Sequence, residues 1–159
     1  MQKSFSDLEI SRYIPNVLSY DELKGMTERE LLHKLTVVIL YLTSEDHGHW
    51  NLIHRVPGSI EFFDSYGYKP DTEFAFISEN MQFPKYVAKL LNQIIKTVPI
   101  SYNQYQFQQK AQGVNTCGRH VIVRNMFSDT NIDDYKKGVD FVSKKLNIKP
   151  DELVVRITG

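Results

Sequence analysis

The run TVVILYL, from Thr36 to Leu42, constrains the fold more than any other feature of the chain. Every residue in it is β-branched, aliphatic or aromatic, whereas a strand with one face in water alternates apolar and polar residues. The run therefore predicts a strand covered on both faces. Helices predicted before and after a cluster of strands indicate an α+β fold, with a β-sheet flanked by helices.

A hairpin is predicted soon after this run. The segments His49–Arg55 and Ser59–Asp64 have strand-like patterns and flank Val56-Pro57-Gly58, a typical tight turn. Because the strands of a hairpin are antiparallel, the start of one lies beside the end of the other. We therefore expect His49 and Asp64 at the same end of the sheet.

The other elements follow from capping signals and periodicity. Ser19 with Glu22, and Thr27 with Glu30, each fit a capping box at the start of a short helix. The predictions are helices at Tyr20–Gly25, Glu28–Lys34, Pro84–Val98, Cys117–Phe127 and Asp133–Leu146, and a strand at Ile100–Gln108. The segment Asp151–Val155 fits either a last helical turn or a short strand.

Length and composition favour one domain, residues 1–159, in a reducing compartment. No repeat or linker divides the 159 residues, and a single cysteine cannot form an internal disulfide. The net charge is zero, so no global basic field attracts nucleic acid or a membrane surface. The N-terminus lacks the apolar core of a signal peptide, and the apolar run Leu35–Leu42 is too short to span a bilayer.

The single thiol, Cys117, is predicted at the start of a helix, with Asn115 or Thr116 as the cap. Unpaired N–H groups and the helix dipole lower the pKa of a thiol there and so favour the nucleophilic thiolate. The same N–H groups can hold an oxyanion. Taken alone, Cys117 fits a small buried apolar residue better than a nucleophile, because free cysteines are commonly buried.

A cysteine nucleophile needs a base, and histidine is the usual one. His47, His49 and His54 are the candidates, and His49 opens the hairpin strand beside Trp50, the only tryptophan. A zinc site formed by His47, His49 and Cys117 is the alternative, but it lacks a second pair of closely spaced ligands.

A carboxylate and an amide complete the constellation. Asp64 ends the second hairpin strand, where it can hold the imidazole of His49 in the required tautomer, or else cap the turn at Ser65-Tyr66-Gly67. Three glutamines, Gln108, Gln109 and Gln112, precede Cys117 by a few residues. A side-chain amide at that place can donate to an oxyanion.

The order His49-Trp50, Asp64-Ser65, glutamine, Cys117-Gly118 resembles the cysteine protease clan of the adenovirus maturation protease and the SUMO-specific proteases. The resemblance runs from about Val37 to Phe127. It implies a circularly permuted, papain-like fold with a mixed sheet between helices. The compact chain and its TCGRH segment look most like the maturation proteases of virophages and large DNA viruses.

Two departures from the family pattern affect the assignments. The spacing from His49 to Asp64 is slightly tighter than usual, which a shortened hairpin explains. The glutamine of the SUMO proteases corresponds to Ala111 here. We assign the role to Gln108, because it ends a predicted strand and is therefore fixed, and we keep Gln112 as the alternative.

The resemblance implies a cysteine endopeptidase. Cys117 is then the nucleophile, His49 the general base and acid, and Asp64 the residue that orients it. Gln108 and the Cys117 N–H hold the oxyanion. The residues expected to line the substrate groove are Trp50 and Gly118.

The implied substrate is a protein or peptide with glycine near the scissile bond, such as a viral capsid or virion precursor. No cofactor is implied for the chemistry. Some relatives need nucleic acid or a peptide for full activity, and zero net charge argues against strong dependence on DNA. We expect a monomer, without membrane association, in the cytoplasm or a viral factory and compatible with packaging in virions. The alternatives are a protease that removes ubiquitin-like modifiers and a binding module with an inert cysteine.

Overall fold

A five-stranded sheet forms the centre of the protein. The structure is a computed structural model that describes residues 7–34, 36–42, 48–72, 85–111 and 114–159. The strands, in spatial as in chain order, are β1 (Val17–Ser19), β2 (Thr36–Leu42), β3 (Gly48–Val56), β4 (Ser59–Asp64) and β5 (Ile100–Tyr102). The pairs β1–β2 and β4–β5 are parallel and the two central pairs are antiparallel, so the sheet is mixed.

Helices cover both faces of this sheet. They are α1 (Asp7–Ser11), a 3₁₀ turn (Tyr20–Leu23), α2 (Glu28–Lys34), α3 (Tyr86–Ile94), α4 (Cys117–Met126), α5 (Ile132–Leu146) and α6 (Pro150–Thr158). One core joins the sheet to α1, α4, α5 and α6, and the other joins it to the 3₁₀ turn, α2 and α3. The predicted α+β fold, with a mixed sheet flanked by helices, is confirmed.

Strand β2 has the two-sided burial that its sequence predicts. Val38 packs into the core beneath α4, while Val37 and Ile39 pack into the core beneath α3. All three side chains are at most 1% exposed. Because neither face of β2 meets water, an unbroken apolar run is the pattern that this position requires.

The hairpin also forms as predicted, with β3 one residue longer at each end. Gly58 occupies its turn with φ of +78°, a left-handed conformation that glycine adopts without steric cost. Asn51 pairs with Asp64, the last residue of β4, and β3 continues past that point through His49. Alternate residues share a face, so His49 and Asp64 are diagonal neighbours at one end of the sheet.

Two predicted elements end several residues before their predicted limits. The predicted strand Ile100–Gln108 was wrong beyond Tyr102, because the amide of Asn103 donates to the carbonyls of Asp64 and Tyr105, at 2.7 and 2.9 Å, and turns the chain. Helix α3 ends at Ile94, whose carbonyl accepts the hydroxyl and N–H of Thr97. The predicted start at Pro84 lies outside the described residues.

Helix α1 and strand β1 were not predicted, because their five and three residues are too short for a periodic pattern. The segment Asp151–Val155 belongs to helix α6, which begins at Pro150. Among the described residues, no helix has the length and apolar character that crossing a membrane requires.

Candidate active site

Cys117 lies at the first position of α4, after the cap residue Thr116. Its side chain is 6% exposed and belongs to the core beneath α4. Burial acts to raise the pKa of the thiol. The hydrogen bond with His49, the charge of His49 and the N–H groups of Trp50 and Gly118 act in the other direction, and the pKa falls below its ordinary value. The surroundings therefore favour the thiolate, as expected for a nucleophile.

The imidazole of His49 lies beside the carboxylate of Asp64. The His49 Nε2 atom lies 3.2 Å from Oδ2 of Asp64, and both side chains are buried. With Nε2 facing the carboxylate, Nδ1 is the ring nitrogen that can contact the sulfur of Cys117. The arrangement of carboxylate, imidazole and thiol is the one that a cysteine nucleophile with a histidine base requires.

Asp64 also caps the turn that follows it, which is the second role considered for this residue, while its role in orienting His49 stays a prediction. Its Oδ1 atom accepts the N–H of Tyr66 at 2.7 Å, while Oδ2 faces His49. The Tyr66 ring stacks on the imidazole of His49, with centroids 4.8 Å apart and planes inclined by 14°. Burial, with the nearby Cys117 and Asp64, raises the pKa of Tyr66 to about 12.

The Tyr66 ring fixes the plane of the imidazole from one side, a role that the sequence analysis did not assign. Its signal in the sequence was only the SYG turn directly after Asp64.

Gln108 lies at the same end of the sheet, although no strand leads to it. Its backbone N–H donates to the carbonyl of Ser65 at 3.0 Å, and its Oε1 accepts the Ser65 hydroxyl at 2.6 Å. The amide nitrogen donates to the carbonyl of Val114 at 3.3 Å, in the segment that leads to Cys117. Hydrogen bonds therefore replace the strand end that was expected to hold this side chain. Gln112 lies outside the described residues.

Trp50 and Gly118 lie beside the thiol but are buried. The Trp50 side chain is 5% exposed and packs in the core that contains Cys117, and the backbone N–H of Trp50 contacts the thiol. Gly118 is buried in the first turn of α4, and its N–H also contacts the thiol. A role for either residue in the substrate groove stays a prediction.

His54 is at the other end of the hairpin and belongs to a different cluster. Its Nε2 lies 3.0 Å from Oε1 of Glu61. The same oxygen accepts a hydrogen bond from Nε of Arg124 at 2.9 Å. Burial lowers the pKa of His54 despite the contact with Glu61. Because Arg124 is on α4 and Glu61 on β4, this buried pair fastens the helix that carries Cys117 to the sheet.

His47, the remaining candidate base and a member of the alternative zinc set with His49 and Cys117, lies outside the described residues. Within the described ranges, no group of three or more histidine, cysteine or acidic side chains is arranged to hold a metal ion.

A second buried cluster lies behind the thiol, and the sequence analysis did not find it. Asp151 of α6 contacts His120 of α4, with 2.9 Å between Oδ1 and Nε2, and accepts the hydroxyl of Thr116. Asp151 follows the cysteine by more than thirty residues and was expected in an element of undecided type. No local pattern in the sequence connects it with Cys117.

Comparison with known proteins identifies a viral relative. The chain is 32% identical over 151 residues to the uncharacterised protein V9 of Sputnik virophage, covering 91% of this chain and 82% of V9. The chain belongs to the family of protein V9. The expected relation to virophage proteins is thereby confirmed for V9, whereas membership of the adenovirus protease clan stays a prediction. No family profile matches the chain.

Similar solved structures include those of the SUMO protease Ulp1. Ulp1 with its catalytic cysteine oxidised to a sulfinic acid has a TM-score of 0.44 and 16% identity, with 99% of this chain and 80% of Ulp1 covered. The sulfonic acid form has a TM-score of 0.42 and 16% identity, with 84% and 72% covered. The Ulp1 protease domain in complex with Smt3, the yeast ortholog of SUMO, has a TM-score of 0.36 and 15% identity, with 79% and 65% covered.

Proposed function

We propose that this V9-family protein is a cysteine endopeptidase with Cys117 as nucleophile, His49 as base and acid, and Asp64 as the residue that orients His49. The observation that supports it best is the contact of the thiol with His49 at a helix N-terminus, with the buried Asp64 3.2 Å beyond the imidazole. A buried structural cysteine needs neither partner. The single domain and its papain-like topology are part of the same proposal.

The chemistry proceeds in two stages. The Cys117 thiolate attacks the scissile carbonyl carbon, a carbon–sulfur bond forms, and the carbonyl π electrons move to oxygen. As the tetrahedral adduct collapses, the carbon–nitrogen bond breaks and His49 gives its proton to the leaving amine. Water then attacks the thioester while His49 accepts its proton, and the new carboxyl product leaves as the thiolate is restored. Asp64 stabilises the imidazolium throughout.

The oxyanion in both stages is assigned to the Cys117 N–H and the side-chain amide of Gln108. The first N–H groups of a helix have no partner within it and point toward the incoming oxygen. The Ser65 hydroxyl fixes the Gln108 oxygen at 2.6 Å, so the amide nitrogen must be the end that faces the segment leading to Cys117. A primary amide has two N–H bonds, and one remains for substrate after the bond to Val114.

The substrates proposed are proteins with glycine near the scissile bond, and the process is the maturation of capsid or virion precursors. The support is the resemblance of the His-Trp, Asp-Ser, Gln and Cys-Gly order, together with membership of a family that includes a virophage protein. Trp50 and Gly118, directly beside the thiol, are the residues proposed to restrict the substrate next to the scissile bond.

The test combines alkylation with peptide cleavage. Because Cys117 is the only thiol, iodoacetamide reports its reactivity without ambiguity. We expect alkylation below the ordinary pKa of a thiol, and cleavage of glycine-containing peptides that is lost in Cys117→Ala and in His49→Ala. His33→Ala, on the exposed surface of α2, is the matched histidine control and should behave like wild type.

Each other outcome points elsewhere. Slow alkylation at neutral pH together with no cleavage would identify a binding module with an inert cysteine. Cleavage of folded modifier conjugates, with no cleavage of unfolded peptides, would identify a protease that removes ubiquitin-like modifiers. Cleavage by Cys117→Ala at the wild-type rate would end the cysteine mechanism.

A further inference from the structure

The carboxylate of Asp151, on the first turn of α6, holds both ends of the loop between Gln108 and Cys117. One oxygen, Oδ2, accepts the backbone N–H of Gln109 at 3.0 Å. The other, Oδ1, accepts the hydroxyl of Thr116. Gln109 is the first residue after Gln108, and Thr116 is the last residue before Cys117. Asp151 thus spans the loop at the two residues adjacent to the proposed oxyanion donors.

A third contact ties the same carboxylate to α4. His120, one helical turn after Cys117, places Nε2 2.9 Å from Oδ1 of Asp151. Thr116, His120 and Asp151 are 0%, 1% and 5% exposed, so water competes little for these bonds. Gln109 and Thr116 of the loop and His120 of α4 therefore all bond the one carboxylate that α6 supplies.

The protonation states suit this arrangement. Burial acts to raise the pKa of Asp151, but the donors from His120, Thr116 and Gln109 outweigh it and hold the pKa below its ordinary value. Burial lowers the pKa of His120 more than Asp151 raises it. The cluster is accordingly an ionised carboxylate that accepts from a neutral imidazole, a hydroxyl and an amide.

We propose that Asp151 is a positioning residue of the proposed protease site, which sets Gln108 and Cys117 at a fixed separation so that both donate to one oxyanion. The inference rests on the proposed function. The loop between the two donors can close in many ways, because the free energy of closure depends only weakly on its length. A carboxylate bound to both ends of the loop selects one closure.

The carboxylate is required because both of its oxygens accept. In Asp151→Asn, an NH₂ group replaces one oxygen, so only one oxygen still accepts. If the NH₂ group faces Gln109, it meets another N–H and that end of the loop is released. If it faces Thr116 and His120, the hydroxyl must turn to accept and the imidazole must change tautomer, so that end is held in an altered arrangement. Glu152→Gln is the matched control, since it makes the same chemical change at the next residue, where the carboxylate is exposed and pairs with Arg156.

The experiment uses the full chain and three readouts. We expect Asp151→Asn to lower kcat by up to about a hundredfold, the loss that a small misplacement of catalytic groups produces, with KM changed little. A peptide aldehyde ending in glycine forms an oxyanion-like adduct with the thiol, so its affinity should fall by the same factor as kcat. Alkylation by iodoacetamide forms no oxyanion and should keep its wild-type rate. Glu152→Gln should match wild type in all three.

A purely structural role gives a different result, in which kcat, aldehyde affinity and alkylation change together, or only the melting temperature falls. Either result overturns the proposal, as does wild-type kcat in Asp151→Asn. If Asp151→Asn does not fold, Thr116→Val and Thr116→Ser decide: the valine variant should show the selective loss and the serine variant, which keeps the hydroxyl, should restore it. Equal activity of the two overturns the proposal. An inactive, slowly alkylated wild-type protein instead overturns the proposed function itself.

Discussion

Asp64→Asn tests the proposed orienting role of this residue, because it changes charge while keeping shape. In the wild-type protein Oδ1 caps the turn through the N–H of Tyr66 and Oδ2 faces Nε2 of His49. An asparagine keeps the turn if its oxygen takes the Oδ1 position. Its NH₂ group then faces Nε2, so the imidazole must accept there instead of donating, and the tautomer is the wrong one for catalysis.

The size of the effect follows from the distance. A carboxylate 3.2 Å from an imidazolium stabilises it by about 5 kcal/mol at an effective dielectric constant of about 20. Both groups are buried, so solvent screens the pair little. The amide dipole retains part of this energy, and each 1.4 kcal/mol corresponds to about tenfold in rate, so we expect turnover to fall by about 10²- to 10⁴-fold. Some activity remains because the N–H groups at the start of α4 still stabilise the thiolate.

The assay is the pH dependence of Cys117 alkylation alongside peptide cleavage. The charge of His49 helps to hold the pKa of the thiol below its ordinary value. When the imidazolium is destabilised, that contribution falls, so the alkylation midpoint should move to higher pH. Asp71→Asn is the control, since this buried carboxylate bonds Tyr20 and Tyr41 away from the thiol and its loss should affect stability alone. An unchanged midpoint with turnover within about threefold of wild type would show that Asp64 is only a turn residue.

Further substitutions test the proposed oxyanion donor, the ring stacked on His49 and the buried ion pair that holds α4. Gln108→Ala should lower kcat by about 10²- to 10³-fold with KM little changed, as loss of one oxyanion donor does; if Gln112→Ala carries the loss instead, the role moves to that residue. Tyr66→Phe should retain turnover while Tyr66→Ala lowers it up to about tenfold, the worth of an aromatic pair, and equal rates for the two would exclude the stacking role. Glu61→Gln should lower the free energy of unfolding in urea by about 3 kcal/mol, because it leaves Arg124 buried without a counter-ion; a loss below about 1 kcal/mol would contradict this reasoning.

Those parts of the fold that depend on local pattern were predictable from the sequence. The limits of β2 and β4 matched because an unbroken apolar run and a Pro-Gly turn act over a few neighbouring residues. The same turn fixed the hairpin register and so brought His49 and Asp64 to one end of the sheet. The start of α4 at Cys117 also matched, although Thr116 is the cap by position only and its hydroxyl bonds Asp151.

The rest depended on contacts between distant segments. The strand predicted at Ile100–Gln108 shows the difference, because its alternating pattern continues past Tyr102, but the Asn103 side chain bonds the carbonyl of Asp64 and turns the backbone. Likewise, the link between Asp151 and the loop before Cys117 joins residues far apart in the chain. Neither contact leaves a periodic trace, so single-sequence reasoning had no means of finding it.

The hairpin contains two buried pairs of histidine and carboxylate, and α4 determines what each of them does. His49 with Asp64 lies at the open end, and His54 with Glu61 lies nearer the turn. On α4, Cys117 and Arg124 are two turns apart and share a face, about 10 Å along the axis. The two histidines are about 16 Å apart along β3 and, because they are five residues apart, point to opposite faces of the sheet. Arg124 meets the second pair on the face that α4 covers, whereas Cys117 meets His49 near the end of the strand.

One helix face thus brings a thiol to the first pair and a guanidinium to the second. The guanidinium binds Glu61 through two nitrogens, at 2.9 and 3.1 Å, which holds that carboxylate as a structural counter-ion. The thiol of Cys117 instead contacts His49 of the first pair, and in the proposed mechanism a proton moves between the sulfur and the imidazole. The two histidine–carboxylate pairs therefore differ in the residue that α4 presents to each. The buried ion pair at the far end of the helix also helps to fix the position of Cys117, the proposed nucleophile, at the near end.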